Sequence, residues 1–293
     1  MKALLLSALV GAAPPSVAYD PFEFFRREAE VIKTAKSDKA ARQAASRTVA
    51  VVSADLEAYQ RALEGFREAF GSPIPVVQAE RLPPQTKIVV AFGGKAALKR
   101  YPPGVTLIYC LTSGLILPPQ EGVDYVRVRM VPVPEALVAG LSGLQPAMKR
   151  LAIIWSEPGF ESYVRAVRAE AAERGIDARL VRIAEPEELP SRLRSLQGRA
   201  EALWLAPDSR LVTRVGFATL KDFSRAAGTP FYAPTAELVR EGATASVAPG
   251  WRDIGRAAGG AARRVAAGER LTEDVYADRA ATVVGETARR ASR

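Results

Sequence analysis

"RLAIIWSEPGFESYVRAVRAEAAERGIDARLVRIA", Arg150 to Ala184, decides the fold. "RLAIIWSE" is a short, nearly continuous apolar run, the pattern of a strand buried on both faces. "GFESYVRAVRAEAAERG" follows with apolar residues at helical spacing and a glycine stop at Gly175. "IDARLVRIA" returns to strand. Strand, helix and strand at this spacing form a parallel unit with a right-handed crossover.

Working outward, the alternation continues in both directions. Downstream, "EPEELPSRLRSLQG" reads as a helix and "AEALWLAPD" (Ala200–Asp208) as a strand. "SRLVTRVGFATLKDFSRAAG" (209–228) is a helix, "TPFYAPT" (229–235) a strand, "AELVREG" a helix and "ATASVAP" (243–249) a strand. Upstream, the strands are "TVAVVSA" (48–54), "IPVVQAE" (74–80), "KIVVAFGG" (87–94), "VTLIYCLTSG" (105–114) and "VDYVRVRM" (123–130). Between the first two, Leu56, Tyr59, Leu63, Phe66 and Phe70 share one helical face that Gly71 closes. "KAALKRY" starts a short helix, and a longer one begins near Pro134. Two series of this kind imply two α/β lobes, and a length of 293 residues allows them.

Composition removes several classes of chemistry. The chain has no histidine, hence neither the commonest general base nor the commonest metal ligand. Its single cysteine, Cys110, allows no internal disulfide and no cysteine zinc cluster, and reads as a buried strand thiol. The net charge of +9 is spread over helix faces, without the dense basic run and interleaved aromatics of a nucleic-acid surface. Gly93-Gly94-Lys95 is similar to part of a phosphate loop, but the Walker spacing and any GxGxxG fingerprint are absent. No catalytic residue, cofactor or metal is expected.

The first 18 residues, "MKALLLSALVGAAPPSVA", read as a signal peptide, with Ser16 and Ala18 before a cleavage site and no lipoprotein cysteine. The expected location is therefore periplasmic and soluble. Residues 19–47 read as an extension, helical from Pro21, with Phe22, Phe25 and Ala29 on one face.

In open parallel sheets ligands sit beyond the carboxyl ends of the strands. Those ends carry Ser53, Gly93, Gly94, Thr112 and Ser113 in the first series, and Ser156, Glu157, Asp208 and Tyr232 in the second. Hydroxyls and glycines before helix starts offer donors to an anion such as a carboxylate. The same residue types also serve as plain helix caps, and that alternative stays open.

Three pieces of the second half carry a family resemblance. Ala206-Pro207-Asp208 matches a strand-end turn, Thr229-Pro230-Phe231-Tyr232 matches the next strand, and Gly242 to Gly255 matches a small-residue strand leading into a helix. Ala267-Gly268-Glu269 matches the end of that helix more loosely. Together these resemble the substrate-binding proteins of ABC importers, in the branch related to tryptophan and tyrosine uptake. In the first half "AFGGKAAL" fits the family, but only "RLPPQTK" precedes it where a second long helix is usual, and "TSGLILPP" replaces an Asp-Pro-Val turn.

The resemblance implies a two-lobed, periplasmic-binding-protein-like type I fold, each lobe a parallel sheet flanked by helices. Three hinge crossings are expected, near Met130–Val133, Val247–Gly250 and Val275–Asp278. The lobes would then comprise residues 48–133 with 249–274, and 134–248 with 275–293. On this reading "ATASVA" is a crossing strand kept small for closure, Trp251 stands in the hinge mouth, and Asp253 caps the following helix. Tyr232 and Trp251 would stack on a ring, and Ser53, Gly94 and Ser156 would hold a carboxylate. The implied partners are a small amino-acid-like ligand and an inner-membrane ABC permease, with no nucleic acid. A second resemblance sets an alternative beside this one. "DPFEFFRREAEVIKTAKS" followed by "TVAVVSADL" resembles the mature start of TonB-dependent outer-membrane receptors, although no barrel follows. It implies an envelope partner or sensor that has lost import and works with such a receptor.

Overall fold

The structure is a computed structural model that describes residues 44–285. The expected signal peptide, and the expected helical extension up to residue 43, lie outside the described residues.

The first sheet holds β1 (Thr48–Val52), β2 (Ile88–Phe92), β3 (Thr106–Cys110) and β4 (Asp124–Arg127), all parallel and in that order. The strand expected over Ile74–Glu80 does not form. Only Val76 bridges Ala50, on the far side of β1. Pro73 and Pro75 both precede that bridge, and Pro75 has no N–H to donate to β1, so the ladder cannot extend toward its start. Helices α1 (Glu57–Phe70) and α2 (Gly94–Ala97) follow β1 and β2. α1 ends as its pattern requires, with Gly71 left-handed at φ 80° and its N–H donating to the Arg67 carbonyl.

The second sheet runs β10-β9-β8-β7-β5-β6. Its strands are β5 (Arg150–Trp155), β6 (Asp177–Arg182), β7 (Ala202–Leu205), β8 (Phe231–Ala233), β9 (Ala245–Ala248) and β10 (Ala281–Val284). Only β10 is antiparallel to its neighbour. Helices α3 (Pro134–Leu144) and α4 (Glu161–Glu173) cover one face, burying Leu137, Leu141, Tyr163 and Val167. α5 (Leu189–Leu196) and α6 (Arg214–Ala227) cover the other, together with Leu238 of α7 (Ala236–Arg240). α6 starts later than its pattern predicts. Thr213 Oγ1 accepts the Gly216 N–H as an N-cap, and the turn at Asp208 takes up residues 208–212.

α8 (Trp251–Ala266) follows β9 of the second sheet but packs on α1 of the first. Its alanines and glycines are there for that contact. A β-carbon on Gly255 would stand 1.8 Å from the Ala62 carbonyl oxygen, and one on Gly259 would stand 2.5 Å from that of Phe66. Among the described residues, the other face of the first sheet has no long helix. α2, Tyr101, Val105 and loop residues such as Leu82 and Leu117 cover it. The helix absent from the sequence pattern is thus replaced by loops.

The chain changes lobe at residues 128–133, at Pro249-Gly250, and between α8 and β10. "ATASVA" is therefore not itself a crossing strand. Ala245–Ala248 lie inside the second sheet between β8 and β10, with α3 against Val247. The first and third crossings are tied together. Arg129 N–H donates to the Val275 carbonyl, and Val275 N–H to that of Arg127, both at 2.8 Å. Asp274 accepts from Arg127 at 2.7 and 2.9 Å and from Arg129 at 2.6 Å. Burial alone would raise the pKa of Asp274. The bond from Arg127 and the charges of Arg129 and Arg127 outweigh it and hold the carboxyl below its usual 3.8.

Two outcomes follow. Gly255→Ala should cost about 2 kcal/mol or more by overpacking, lowering Tm by about 5 °C. Gly260→Ala, on the same helix but with nothing within 4 Å, should gain up to about 1 kcal/mol of helix propensity. Thermal unfolding followed by circular dichroism compares the two. A depressed carboxylate contributes stability that is complete above its unfolded value and lost as pH falls through its folded value. Urea unfolding should therefore show a loss of stability below about pH 4 that is smaller in Asp274→Asn.

Candidate functional site

Each sheet reverses its strand order at one place. In the first lobe this is beside β1, with β2 on one side and Val76 on the other. In the second it is beside β5, flanked by β7 and β6. Ligand crevices in open sheets form at such reversals.

At the first reversal, Ser53 follows β1. Its N–H donates to the Phe92 carbonyl and its Oγ accepts the Ala96 N–H at 2.8 Å, joining the strand end to α2. Gly93 is left-handed at φ 94°, and a β-carbon there would stand 2.5 Å from the Tyr59 hydroxyl and 2.7 Å from Ser53 Oγ. Ser53, Tyr59 and Gly93 therefore form one tight group. Gly94 opens α2 beneath the Leu115 side chain. Thr112 and Ser113 lie one loop away, between β3 and β4. The Ser113 N–H points at Met130 Sδ, 3.3 Å away on the first crossing.

At the second reversal Asp208 is fully buried. Its Oδ2 accepts the N–H groups of Ser156 and Glu157 at 2.7 and 2.6 Å, and its Oδ1 accepts the Arg210 N–H at 3.0 Å. The donors expected to receive a ligand carboxylate are thus already used by a carboxylate of the protein. Ser156 is 1% exposed and its Oγ is buried without a hydrogen-bond partner, so the expectation that it holds a ligand carboxylate is corrected. Glu157 remains half-exposed. Burial, then the charge of Asp208, raises its pKa, against the charge of Arg210 and a bond from Ser209.

One aromatic expectation is also corrected. Tyr232 is 2% exposed in the second lobe's core, and its hydroxyl donates to Gln145 Oε1 at 3.0 Å. Burial pushes its pKa up to about 12. Its strand is buried on both faces, and its side chain packs in the core that holds Leu137 and Leu141 of α3. Trp251 is the first residue of α8 and packs against the first lobe's core together with Tyr59 and Leu63. Asp253 pairs with Arg256 at 3.0 Å and does not cap the helix, whose N-cap is Gly250.

The structure adds residues that sequence reasoning passed over. Tyr59 was assigned to a core face. Leu115, Phe160 and Arg129 gave no motif, although Arg127 and Arg129 two apart in "VRVRM" mark one strand face with two cations. The loop Leu111–Leu115 of the first lobe meets Glu157 and Phe160 of the second at Gly114. Ser53, Gly93 and Gly94 thus connect through Leu115 and Gly114 to the second lobe's ledge. Recesses of about 600 and 610 Å³ lie elsewhere, along Glu269–Thr272.

Comparison with known proteins agrees with this fold. Residues 136–283, just over half of the chain, match the family described as ABC transporter substrate binding protein. The match covers the second lobe and α8, and leaves β1–β4 outside. Solved structures are similar over both lobes. An ABC domain in complex with L-Trp from Streptococcus pneumonia is 16% identical with a TM-score of 0.57, covering 84% of this chain and 94% of that one. A ligand-free, open substrate-binding protein with adhesive properties from Clostridium difficile is 17% identical with a TM-score of 0.58, again covering 84% and 94%. An arabinose-binding protein from Geobacillus stearothermophilus is 12% identical with a TM-score of 0.52, covering 83% and 98%. At these identities the likeness is one of fold. No curated protein sequence matches the chain. With its second lobe and α8 matched by the family and both lobes sharing the fold, the chain belongs to the ABC transporter substrate-binding proteins.

Proposed function

We propose that this protein is the exported solute-binding component of an ABC importer, and that it captures a small, amino-acid-like molecule between its two lobes for delivery to a membrane permease. The observation that carries the reading is that the loop after β3 links the two strand-end groups, with Leu115 against Gly94 on one side and Gly114 against Glu157 and Phe160 on the other. Ser53 Oγ accepts from Ala96 and keeps its own O–H to donate. Thr112 and Ser113 stand on the loop between the two sides. Glu157 offers the second lobe's half-exposed carboxyl, suited to an amino group. Asp208 works one step back, holding the Ser156–Glu157 backbone in place.

Capture in such a protein is a shift between open and closed lobes. A ligand moves that equilibrium only by its difference in affinity for the two forms. The crossings supply the hinge: short at Pro249-Gly250, and tied by Asp274 between the other two.

The test is thermal unfolding of the folded chain against amino acids, short peptides and sugars. A ligand at a hundred times its Kd adds about 2.7 kcal/mol. For a chain of this size that raises Tm by about 5 °C or more. A shift with α-amino acids is expected, and Glu157→Gln should weaken the binding about tenfold or more through loss of one charged hydrogen bond. No shift with any amino acid would overturn the ligand class. A shift with none of the panel, from a well-folded sample, would overturn solute capture.

A further inference from the structure

The first sheet carries a recess on the face that α2 and loops cover. Tyr109 on β3 and Arg127 on β4 are direct cross-strand partners, and Tyr125 stands two residues before Arg127. Side chains two apart share one face of a strand. Tyr109 and Tyr125 meet edge to face, with ring centroids 6.5 Å apart. Ile116, Leu117 and Pro119, from the loop after β3, line the same space of about 340 Å³. Thr272, Glu273 and Asp274, between α8 and β10, border it. Aromatic and apolar walls with a few polar groups, at this volume, suit a small molecule. Ser53, Gly93, Gly94 and Glu157 do not line the recess, so it is separate from the lobe junction.

Two groups here have unused donors. Tyr109 is 7% exposed. Its hydroxyl has no hydrogen-bond partner among the described residues. Burial raises its pKa above the usual 10, against the charge of Arg127, so the phenol keeps its proton at neutral pH and can donate it. Arg127 spends Nε and Nη2 on Asp274, at 2.7 and 2.9 Å, and its Nη1 has no partner among the described residues. Tyr125 differs: its hydroxyl donates to the Pro118 carbonyl at 3.1 Å.

The charge is uneven as well. Asp274 accepts from both Arg127 and Arg129, so two guanidinium groups share one carboxylate. The further bond of Arg129 goes to a neutral acceptor, the Gly159 carbonyl. Glu273 also lines the recess but is exposed, where water and salt screen its charge. A partly buried cluster with one positive charge in excess favours an anion, and an unpaired buried donor gains most from a charged acceptor.

We propose that this recess binds a small apolar carboxylate. Its oxygens accept from the Tyr109 O–H and Arg127 Nη1, and its hydrocarbon body lies against Tyr125, Ile116 and Leu117. It is a ligand site in addition to the lobe junction.

Hexanoate and phenylacetate are the probes, with hexylammonium as the charge-reversed control. Amide chemical shifts of the full chain, followed by nuclear magnetic resonance, locate the site, and their titration gives Kd. The expected result is a saturable shift at residues 116–117, 125–127 and 272–274 with both acids, and none there with hexylammonium. Tyr109→Phe deletes only the O–H and should weaken hexanoate about tenfold or more, the effect of one hydrogen bond to a charged group. Ile116→Glu, at a residue 59% exposed, sets a like charge at the rim and should also weaken hexanoate. Circular dichroism confirms that both variants fold. Shifts confined to Ser53, Gly93 and Gly94, or tighter binding of hexylammonium than of hexanoate, would overturn the proposal. So would the lack of any saturable shift at millimolar acid, or an unchanged hexanoate Kd in either folded variant.

Discussion

The Ala62 carbonyl occupies the place that a β-carbon on residue 255 would take, and the rest of the architecture depends on this. α8 leaves the second sheet at β9, yet its buried face belongs to the first lobe's core, beside Phe66 and Phe70. Two helices lie this close only when one of them has no side chain at the contact. Because α8 is anchored there, the chain must leave the second lobe once and return once. The return runs along residues 271–280 and brings Asp274 to Arg127 and Arg129. The hinge pairing is thus a consequence of where α8 sits.

The second lobe's strand ends show how a protein fills a site with its own chemistry. Two consecutive N–H groups beyond β5 make a natural anion position. Asp208 fills it from β7's end, fully buried, with both carboxylate oxygens bonded. The arrangement fixes Glu157 at the lobe junction and leaves the donors of this ledge with no carboxylate to receive. In the first lobe, Ser53 and Tyr59 crowd around Gly93.

The first lobe is the part that departs from the family pattern, and it departs in two linked ways. Prolines at 73 and 75 reduce one strand to a single bridge, and the helix that would follow is absent. The exposed sheet face is then closed by shorter pieces, with Val89, Leu107 and Tyr101 buried under α2 and loops. The sheet keeps four parallel strands and its reversal point, so the loss removes a covering layer and leaves the strand order intact.

The sequence by itself determined the α/β alternation, the two series, the buried Cys110 and the glycine stop of α1. Each rests on local periodicity or on one residue's backbone preference, and these are properties of a short segment. It also marked Ser53, Gly93, Gly94, Glu157 and Asp208 as strand-end residues, because strand ends follow from strand positions. Tertiary structure decided everything that needs two segments at once. It decided that "ATASVA" is an interior strand and not a crossing, since small side chains suit either. It decided that Tyr232 faces a core, because an aromatic's side depends on a register that a three-residue strand does not display. It decided that Asp208 serves Ser156 and Glu157, 52 and 51 residues away. And it decided that Gly114 and Phe160 meet, because a glycine's need for close approach names no partner until the other chain segment is beside it.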